Sequence, residues 1–408
     1  MQDIVIIGAG AAGCFAGAVL GELDPSRKIT LLEKTRQPLA KVKISGGGRC
    51  NVTHHCFEVP RLVENYPRGK DFLQSAFHRF QPKDMIEWLQ ERGVETKVEA
   101  DGRCFPKANT SQTIIDCFLS LIEKVGVVLA LEKEVTQLKA CENGWEVTLK
   151  DGSIIQTRKV LFTTGGLIRS YSILEELGHL MVKPIPSLFT LELKEEWLRA
   201  LSGSVVPMAR VSLGGFSISL QGPMLITHVG VSGPVILKLS AFAARWFFDV
   251  GYQAKLFVNW TGIGTHLGIK EALYAQKKSS SEKKVVLTPL FSLSKKLWAA
   301  LLVQIAASCL EKTWSQVSRQ EIDHLTDLFY QMPFSVIGKN TNKEEFVTCG
   351  GVPLEEVYPK TMESRKAPGV YFAGEVLNID GVTGGFNFQN AWTTAWIAAH
   401  AIDSSLQS

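Results

Sequence analysis

The stretch from Met1 to Lys34 limits what this chain can fold into more than any other. Ile4 to Ile7 is a short apolar run of strand type, followed at once by Gly8-Ala9-Gly10-Ala11-Ala12-Gly13. An Ala-rich apolar segment runs to Leu23, Asp24-Pro25 breaks it, and Lys28 to Leu32 reads as a second strand ending on Glu33. Strand, glycine turn, helix, strand and acid in this order make a complete dinucleotide-binding unit, not a bare glycine pattern. Gly8 permits the tight turn, Gly10 leaves room for a pyrophosphate, and Gly13 lets helix and strands pack closely. Ala11 and Ala12 open the helix, so its free N–H groups and positive dipole end face the phosphates. Glu33, with Lys34 beside it, can accept from the ribose hydroxyls of an adenosine. The unit predicts an adenine dinucleotide.

The chain has 408 residues, enough for two or three domains with their own cores. With 44 Lys and Arg against 40 Asp and Glu, its net charge of +4 permits an anionic partner without demanding one. The longest apolar runs, such as Trp298 to Ile305, are too short or too interrupted to span a membrane. A strand begins at once, leaving no basic n-region or cleavage site, so a cytoplasmic location is expected. The eight cysteines show no disulfide or zinc spacing, and no metal is expected. Cys50 and Cys56 have five residues between them, whereas redox pairs of flavin disulfide reductases have four.

Beyond Glu33, Ser45-Gly46-Gly47-Gly48-Arg49-Cys50-Asn51 makes a poor core and a good cradle for an anion or cofactor. Lys41 and Arg49 supply charge on either side; the plainer reading is a flexible surface loop. Phe72 to Arg92 has helical spacing with a new start at Pro82, and Val94 to Val98 reads as a strand. Asn109-Thr110-Ser111 can cap a helix running to Lys124. Strands at 127–131, 135–138 and 145–149 form a meander, and a fourth, from Ile154, ends in Thr163-Thr164-Gly165-Gly166. That layout belongs to two-dinucleotide-fold flavoproteins. It adds Val135, Thr164, Gly165 and Gly166 to the candidate cofactor contacts.

From Pro186 the texture changes to short β-type runs. Thr227-His228-Val229-Gly230-Val231-Ser232-Gly233-Pro234 then leads into an apolar helix, with Ser232 as its expected cap. His228 reads either as a structural residue or as a titratable group in a functional turn. Residues 264–331 read as mostly helical, with nine Lys or Arg against six Asp or Glu and a basic, Ser-rich link at 277–284. Solvated helix faces are the plain reading, a nucleic-acid surface the sharper one. No second dinucleotide unit appears, so NAD(P)H has no domain of its own. Near the end, Val370 to Ala373 is a strand running into Gly374-Glu375, then Asp380, Gly384-Gly385-Phe386-Asn387 and a helix from about Asn390 to Ser404. A second strand, glycine turn and helix at the far end makes the cofactor domain discontinuous. The expected boundaries are 1–186 with 346–408 for that domain, 187–263 for a β-rich insertion and 264–345 for a helical one.

These motifs resemble the bacterial BaiN/RdsA-type flavoproteins, also called YhiN-like or aminoacetone-oxidase-like. The resemblance covers essentially the whole chain. It rests on the first glycine unit, Lys43 to Asn51, Gly102-Arg103-Cys104-Phe105-Pro106, Thr227 to Pro234, Gly350-Gly351-Val352 and Ala373 to Gln389. It implies an α/β, glutathione-reductase-like domain holding FAD non-covalently, with an inserted β-rich subdomain and a helical one. Asn378, Phe386 and Asn390 stand where Asp, Tyr and Trp are common. Activities across the family include reduction of a uridine in large-subunit ribosomal RNA, amine oxidation and steroid enone reduction.

Together these features predict an FAD-dependent reductase of a carbon–carbon double bond, with NAD(P)H as transient reductant. Uridine in 23S ribosomal RNA is the expected substrate. A small-molecule oxidase or enone reductase and a flavin-bound assembly factor are the alternatives. Cys50, Cys104 and His228 are the candidate acids, each a titratable group inside a glycine-rich motif.

Overall fold

The computed structural model describes residues 1–166, 171–340 and 347–407. They fall into two compact units, one of residues 1–185 with 343–408 and one of residues 186–342. The expected boundary at 345/346 lies outside the described residues.

The first unit is built on a seven-stranded sheet. Strand Gln2–Ile7 lies between Ile29–Leu32 and Ile154–Phe162, all parallel, with Val128–Ala130 outside Ile29–Leu32. Ile4 to Ile7 and all of Ile29–Leu32 are buried, as the unbroken apolar runs of a sheet covered on both faces require. Ile154–Phe162 changes partner along its length. Its first half pairs antiparallel with Gly144–Leu149, which continues to Val135–Cys141, and its second half pairs parallel with Val370–Phe372.

Two helices cover the glycine end of this sheet. Ala11–Leu23 stops where Asp24-Pro25 predicts. Phe386–Gln407 begins four residues earlier than expected, because Gly385 N-terminal to it leaves the chain free to turn straight into the helix. Phe15 on the first helix is surrounded by Phe80, Trp88, Phe118 and Trp392, with ring centroids 5.0–6.1 Å apart. Trp392 also donates to Val52 O at 2.9 Å. Each such aromatic pair adds about 0.5–1.5 kcal/mol beyond the area it buries.

The second unit is a closed barrel with a helical layer. Its strands run Thr190–Leu193, Gly230–Ser232, Phe216–Ile226, Val205–Leu213, Ala254–Asn259 and Met332–Asn340, the last pairing back on the first. Sequence spacing predicts a β-rich and a separate helical insertion; the structure has one unit instead. The segment 264–340 ends in the strand that closes the barrel, and closure removes the exposed edges an open sheet would leave. One core then joins both parts: Leu191 and Val211 of the barrel are buried with Trp298, Leu325 and Phe329 of the helices.

A buried polar clamp ties residues 171–180 to 356–366 in the first unit. His179 Nδ1 lies 2.7 Å from Glu356 Oε2 and Nε2 lies 2.9 Å from Ser364 Oγ. Ser364 Oγ already accepts from the N–H groups of Lys366 and Ala367, so its proton goes to His179 and Nδ1–H donates to Glu356. Burial lowers the imidazole pKa against the pull of Glu356. Burial also raises the Glu356 carboxyl, but Lys366 and His179 outweigh it and hold it below its usual range. Both folded-state values are depressed, so both groups favour the unfolded chain as protons are added. Stability should therefore be full above about pH 6.5 and fall as pH drops through the values of His179 and then Glu356. Melting temperature measured from pH 7.5 to 5 should show this loss, and His179→Gln should flatten it while lowering stability at pH 7.5.

Candidate functional site

Three glycine motifs far apart in the sequence meet at one end of the sheet. Gly8 turns with φ +108°, and a Cβ there would lie 2.7 Å from Thr163 O. A Cβ on Gly13 would lie 1.9 Å from Gly8 O, so helix and strand touch through missing side chains. Gly10 differs: a Cβ there meets nothing within 4 Å. It opens the helix with no side-chain cap, so no capping side chain takes the first-turn N–H groups. Glu33 Oε2 accepts from Ala9 N at 3.0 Å, and Oε1 accepts from the N–H and hydroxyl of Thr35. The carboxylate thus stands beside the turn. Lys34 is exposed next to it, and the backbone of Lys133, just before Val135, donates to Glu33 O.

The second motif is a left-handed turn. The helix starting at Ala40 ends at Ser45, and Gly46, Gly47 and Gly48 have φ of +58°, +68° and +80°. Cβ atoms on Gly47 and Gly48 would meet nothing, leaving that face open. Cys50 follows at φ +58°, a costly conformation for a side chain with a Cβ, held by its N–H donating to Ser45 O at 3.0 Å. Asn51 joins this turn to the third motif. With its amide oriented to satisfy both ends, it accepts from Gly385 N at 3.0 Å and donates to Thr53 O and Cys104 O.

The third motif is the turn before the last helix. A Cβ on Gly385 would lie 2.6 Å from Thr53 O, and one on Gly374 would lie 3.1 Å from Ala12 Cβ. Glu375 accepts from Lys41 Nζ at 2.7 Å and from the N–H and hydroxyl of Thr348. Burial raises its carboxyl, but Lys41 and Thr348 outweigh this and hold its pKa below the usual range. Gly165 packs against the same carboxylate, and Gly166 leaves space that Thr348 occupies. Thr163 anchors that strand end to Ile7 O and Gly8 O. Thr164 lies between them.

Several expected contacts serve the protein itself. Both oxygens of fully buried Asp380 are held by Arg68, so this carboxylate is a clamp rather than a ligand group. Asn387 exchanges two hydrogen bonds with Gly381, closing the loop it belongs to. Arg49 donates to Glu99 at 2.6 Å and lies 4.1 Å over the Phe105 ring, which spends its charge inside the protein. Cys50 and Cys104 are fully buried, and burial pushes both thiols up to about 12. His228 is exposed on the inserted unit. Its motif closes the barrel there. A Cβ on Gly230 would lie 2.2 Å from Leu191 O, and Ser232 accepts from Thr190 Oγ1 instead of capping the helix.

Other residues at the site escaped the sequence reading. Tyr66 donates to Phe386 O at 2.7 Å, and His54 stacks on the Phe386 ring with centroids 4.7 Å apart. His54 Nε2 lies 3.0 Å from Asp101 O, and burial lowers its pKa. Gly102 must be glycine to admit that ring, since a Cβ would lie 2.4 Å from His54 Cε1. The only signal was position, directly after the triple-glycine motif. Asn378 and Asn390 each bury a side-chain oxygen with no partner among the described residues.

Residues 2–401 match the family described as HI0933-like protein Rossmann domain. The chain belongs to this family. It is 31% identical over its full length to the "Ribosomal RNA dihydrouridine synthase" of Escherichia coli K12, covering 99% of that protein. It is 25% identical to the "3-dehydro-bile acid delta(4,6)-reductase" of Clostridium scindens, across 98% of this chain and 99% of that one. Among solved structures, 3-ketosteroid delta1-dehydrogenase from Sterolibacterium denitrificans superposes with a TM-score of 0.51 at 11% identity, covering 99% of both chains, a likeness of fold. This is an FAD-dependent oxidoreductase. The open faces at Gly10, Gly47 and Gly48, the uncapped helix and the orphaned buried oxygens of Asn378 and Asn390 fit such a cofactor. No helix among the described residues is long and apolar enough to cross a membrane.

Two substitutions separate ligand space from packing. Gly10→Asp should leave the fold intact, because its Cβ meets nothing, yet abolish FAD retention; absorbance near 450 nm and the apoprotein melting curve read the two effects. Arg68→Ala should destabilise the protein by about 3–5 kcal/mol in urea unfolding, because it removes the guanidinium that holds both oxygens of buried Asp380. The double variant Arg68→Ala/Asp380→Ala should recover part of that loss.

Proposed function

We propose that this chain reduces a uridine of ribosomal RNA to dihydrouridine, with NAD(P)H as the source of electrons. The observation that carries the reading is the full-length similarity to a protein named for that reaction. A cytoplasmic location goes with such a substrate. Gly8, Gly10, Ala11, Ala12 and Gly13 would hold the pyrophosphate, and Glu33, Lys34 and Val135 the adenosine end. Lys41, Ser45 to Asn51, Thr164 to Gly166, Gly374-Glu375 and the Gly384-Gly385 helix start would enclose the rest.

FAD, when bound, supplies the hydride for C6 of the uracil ring and is re-reduced by NAD(P)H. The chain's part is positioning and charge. The positive end of the last helix favours negative charge nearby, while the N–H of Gly385 is already given to Asn51. The Lys41–Glu375–Thr348 chain fixes the floor of the site. Carbon C5 still needs a proton. Cys50 and Cys104 serve it poorly, since thiols pushed up to about 12 and sealed from solvent release protons reluctantly. Half-buried His54, whose pKa desolvation lowers, serves it no better. We therefore assign this proton to solvent.

A second reading is reduction of a steroid-like enone, favoured by the full-length similarity to the Clostridium scindens reductase. Both reactions add two hydrogens across a double bond conjugated to a carbonyl, so one flavin geometry serves either.

Mass spectrometry of ribosomal RNA from cells with and without the gene tests the proposal. Loss of one dihydrouridine, restored by the gene, is expected. An unchanged nucleoside profile would refute it, and oxidation of the reduced enzyme by enones would then be the measurement to follow. Cys50→Ser and Cys104→Ser should complement far better than the roughly 100-fold or greater loss expected on removing a general acid.

A further inference from the structure

The positive charge of this chain is not shared evenly. Residues 186–342 carry sixteen Lys and Arg against ten Asp and Glu, whereas the remainder of the chain carries 28 against 30. The unit holding the dinucleotide turn is therefore slightly acidic, and the whole positive excess lies on the insertion.

Within the insertion that charge gathers where two segments run side by side. Helix His266–Ser279 lies antiparallel to Arg319–Tyr330, in the register set by Lys270–Asp323 and His266–Asp327. Past its end the chain pairs with 313–315. Ser315 N donates to Ser281 O at 2.9 Å, and Trp314 N donates to Lys283 O at 3.1 Å. Lys277 donates to Val317 O, which closes the corner. Neighbouring cations are neutralised locally, Lys284 by Glu311 and Lys312 by Glu321. Lys278, Lys283 and Arg319 are exposed and enter no ion pair among the described residues. Tyr274 is exposed on the same helix, one turn before Lys278 and on the same stripe. The exposed acids nearest in sequence are Glu271 and Glu282 on the first segment and Glu311 and Asp327 around Arg319, the last two already paired with Lys284 and His266.

We infer that this corner of the inserted unit is the docking surface for the RNA substrate. Lys278, Lys283 and Arg319 contact phosphates, and Tyr274 offers a ring on which a base stacks. The inference rests on the ribosomal RNA reading and deepens it. Three exposed cations outside any described ion pair lie beside an exposed aromatic, Arg319 alone also acting on Asp323 one turn along. Single-stranded RNA rewards that combination, because phosphates take the charge and any base can use the ring. The cofactor unit carries no positive excess to draw the same polymer, so capture falls to the insertion.

The test uses the full-length, FAD-loaded protein and a fluorescein-labelled single-stranded RNA of ribosomal sequence, titrated by anisotropy at several salt concentrations. Flavin absorbance and melting temperature identify folded variants. For K278Q/K283Q/R319Q the slope of log affinity against log salt should shrink by about 2, at roughly 0.7 for each phosphate no longer neutralised. Tyr274→Ala should weaken binding by about tenfold with the slope unchanged. If the wild type binds and the triple variant keeps its slope, the surface lies elsewhere and the inference fails while the RNA reading stands. If Tyr274→Ala binds as the wild type does, the corner is a general polyanion site and the inference is overturned. If the wild type itself does not bind, both the surface and the ribosomal RNA reading fall.

Discussion

Everything at the candidate site depends on the contact between the first helix and the last. Phe15 and Trp392 sit face to edge inside one aromatic cluster, and Ala12 meets Gly374 a turn away. Burying two such rings is worth about 2–3 kcal/mol each, enough to fix how the two helices lie. Once they are fixed, the turn at Gly8–Gly13 and the turn at Gly384-Gly385 open toward the same end of the sheet. Asn51 then spans to Gly385, and the triple-glycine turn completes the enclosure. Glycine appears wherever two backbones must touch, and the open glycines appear only where nothing of the protein fills the space.

The site also shows how charge is apportioned. Lys41, Glu375 and Thr348 form one bonded chain at its floor, while the Arg68–Asp380 pair and the Arg49–Glu99 pair hold the loops around it. Those two arginines are taken up by the protein's own carboxylates. Backbone N–H groups and helix ends are preorganised for an anion in a way these paired side chains are not.

Local patterns in the sequence made much of this legible. The first helix, the meander and the parallel strand order follow from short-range patterns, because each depends on residues within one supersecondary unit. Long-range partnerships were not legible. Asp380 beside a glycine turn reads as a ligand group until Arg68, far away in sequence, claims both oxygens. His228 reads as chemistry because Gly and Ser flank it, whereas Gly230 is there to let the barrel close against Leu191 O. The helical stretch reads as its own domain because nothing local announces that Met332–Asn340 returns to the barrel. His54 gains its role only from a ring that arrives with the last helix.

That last helix has a further consequence. The insertion is continuous in sequence and has its own closed barrel, so it can reach its final form while synthesis continues. The cofactor unit cannot. Its first helix is made with Phe15 uncovered, and Trp392 follows only after the entire insertion has been made. Contacts of such sequence separation form slowly and leave apolar surface exposed in the interval. Loss of the last helix from Phe386 onward would leave the barrel able to close and the nucleotide fold without its cover.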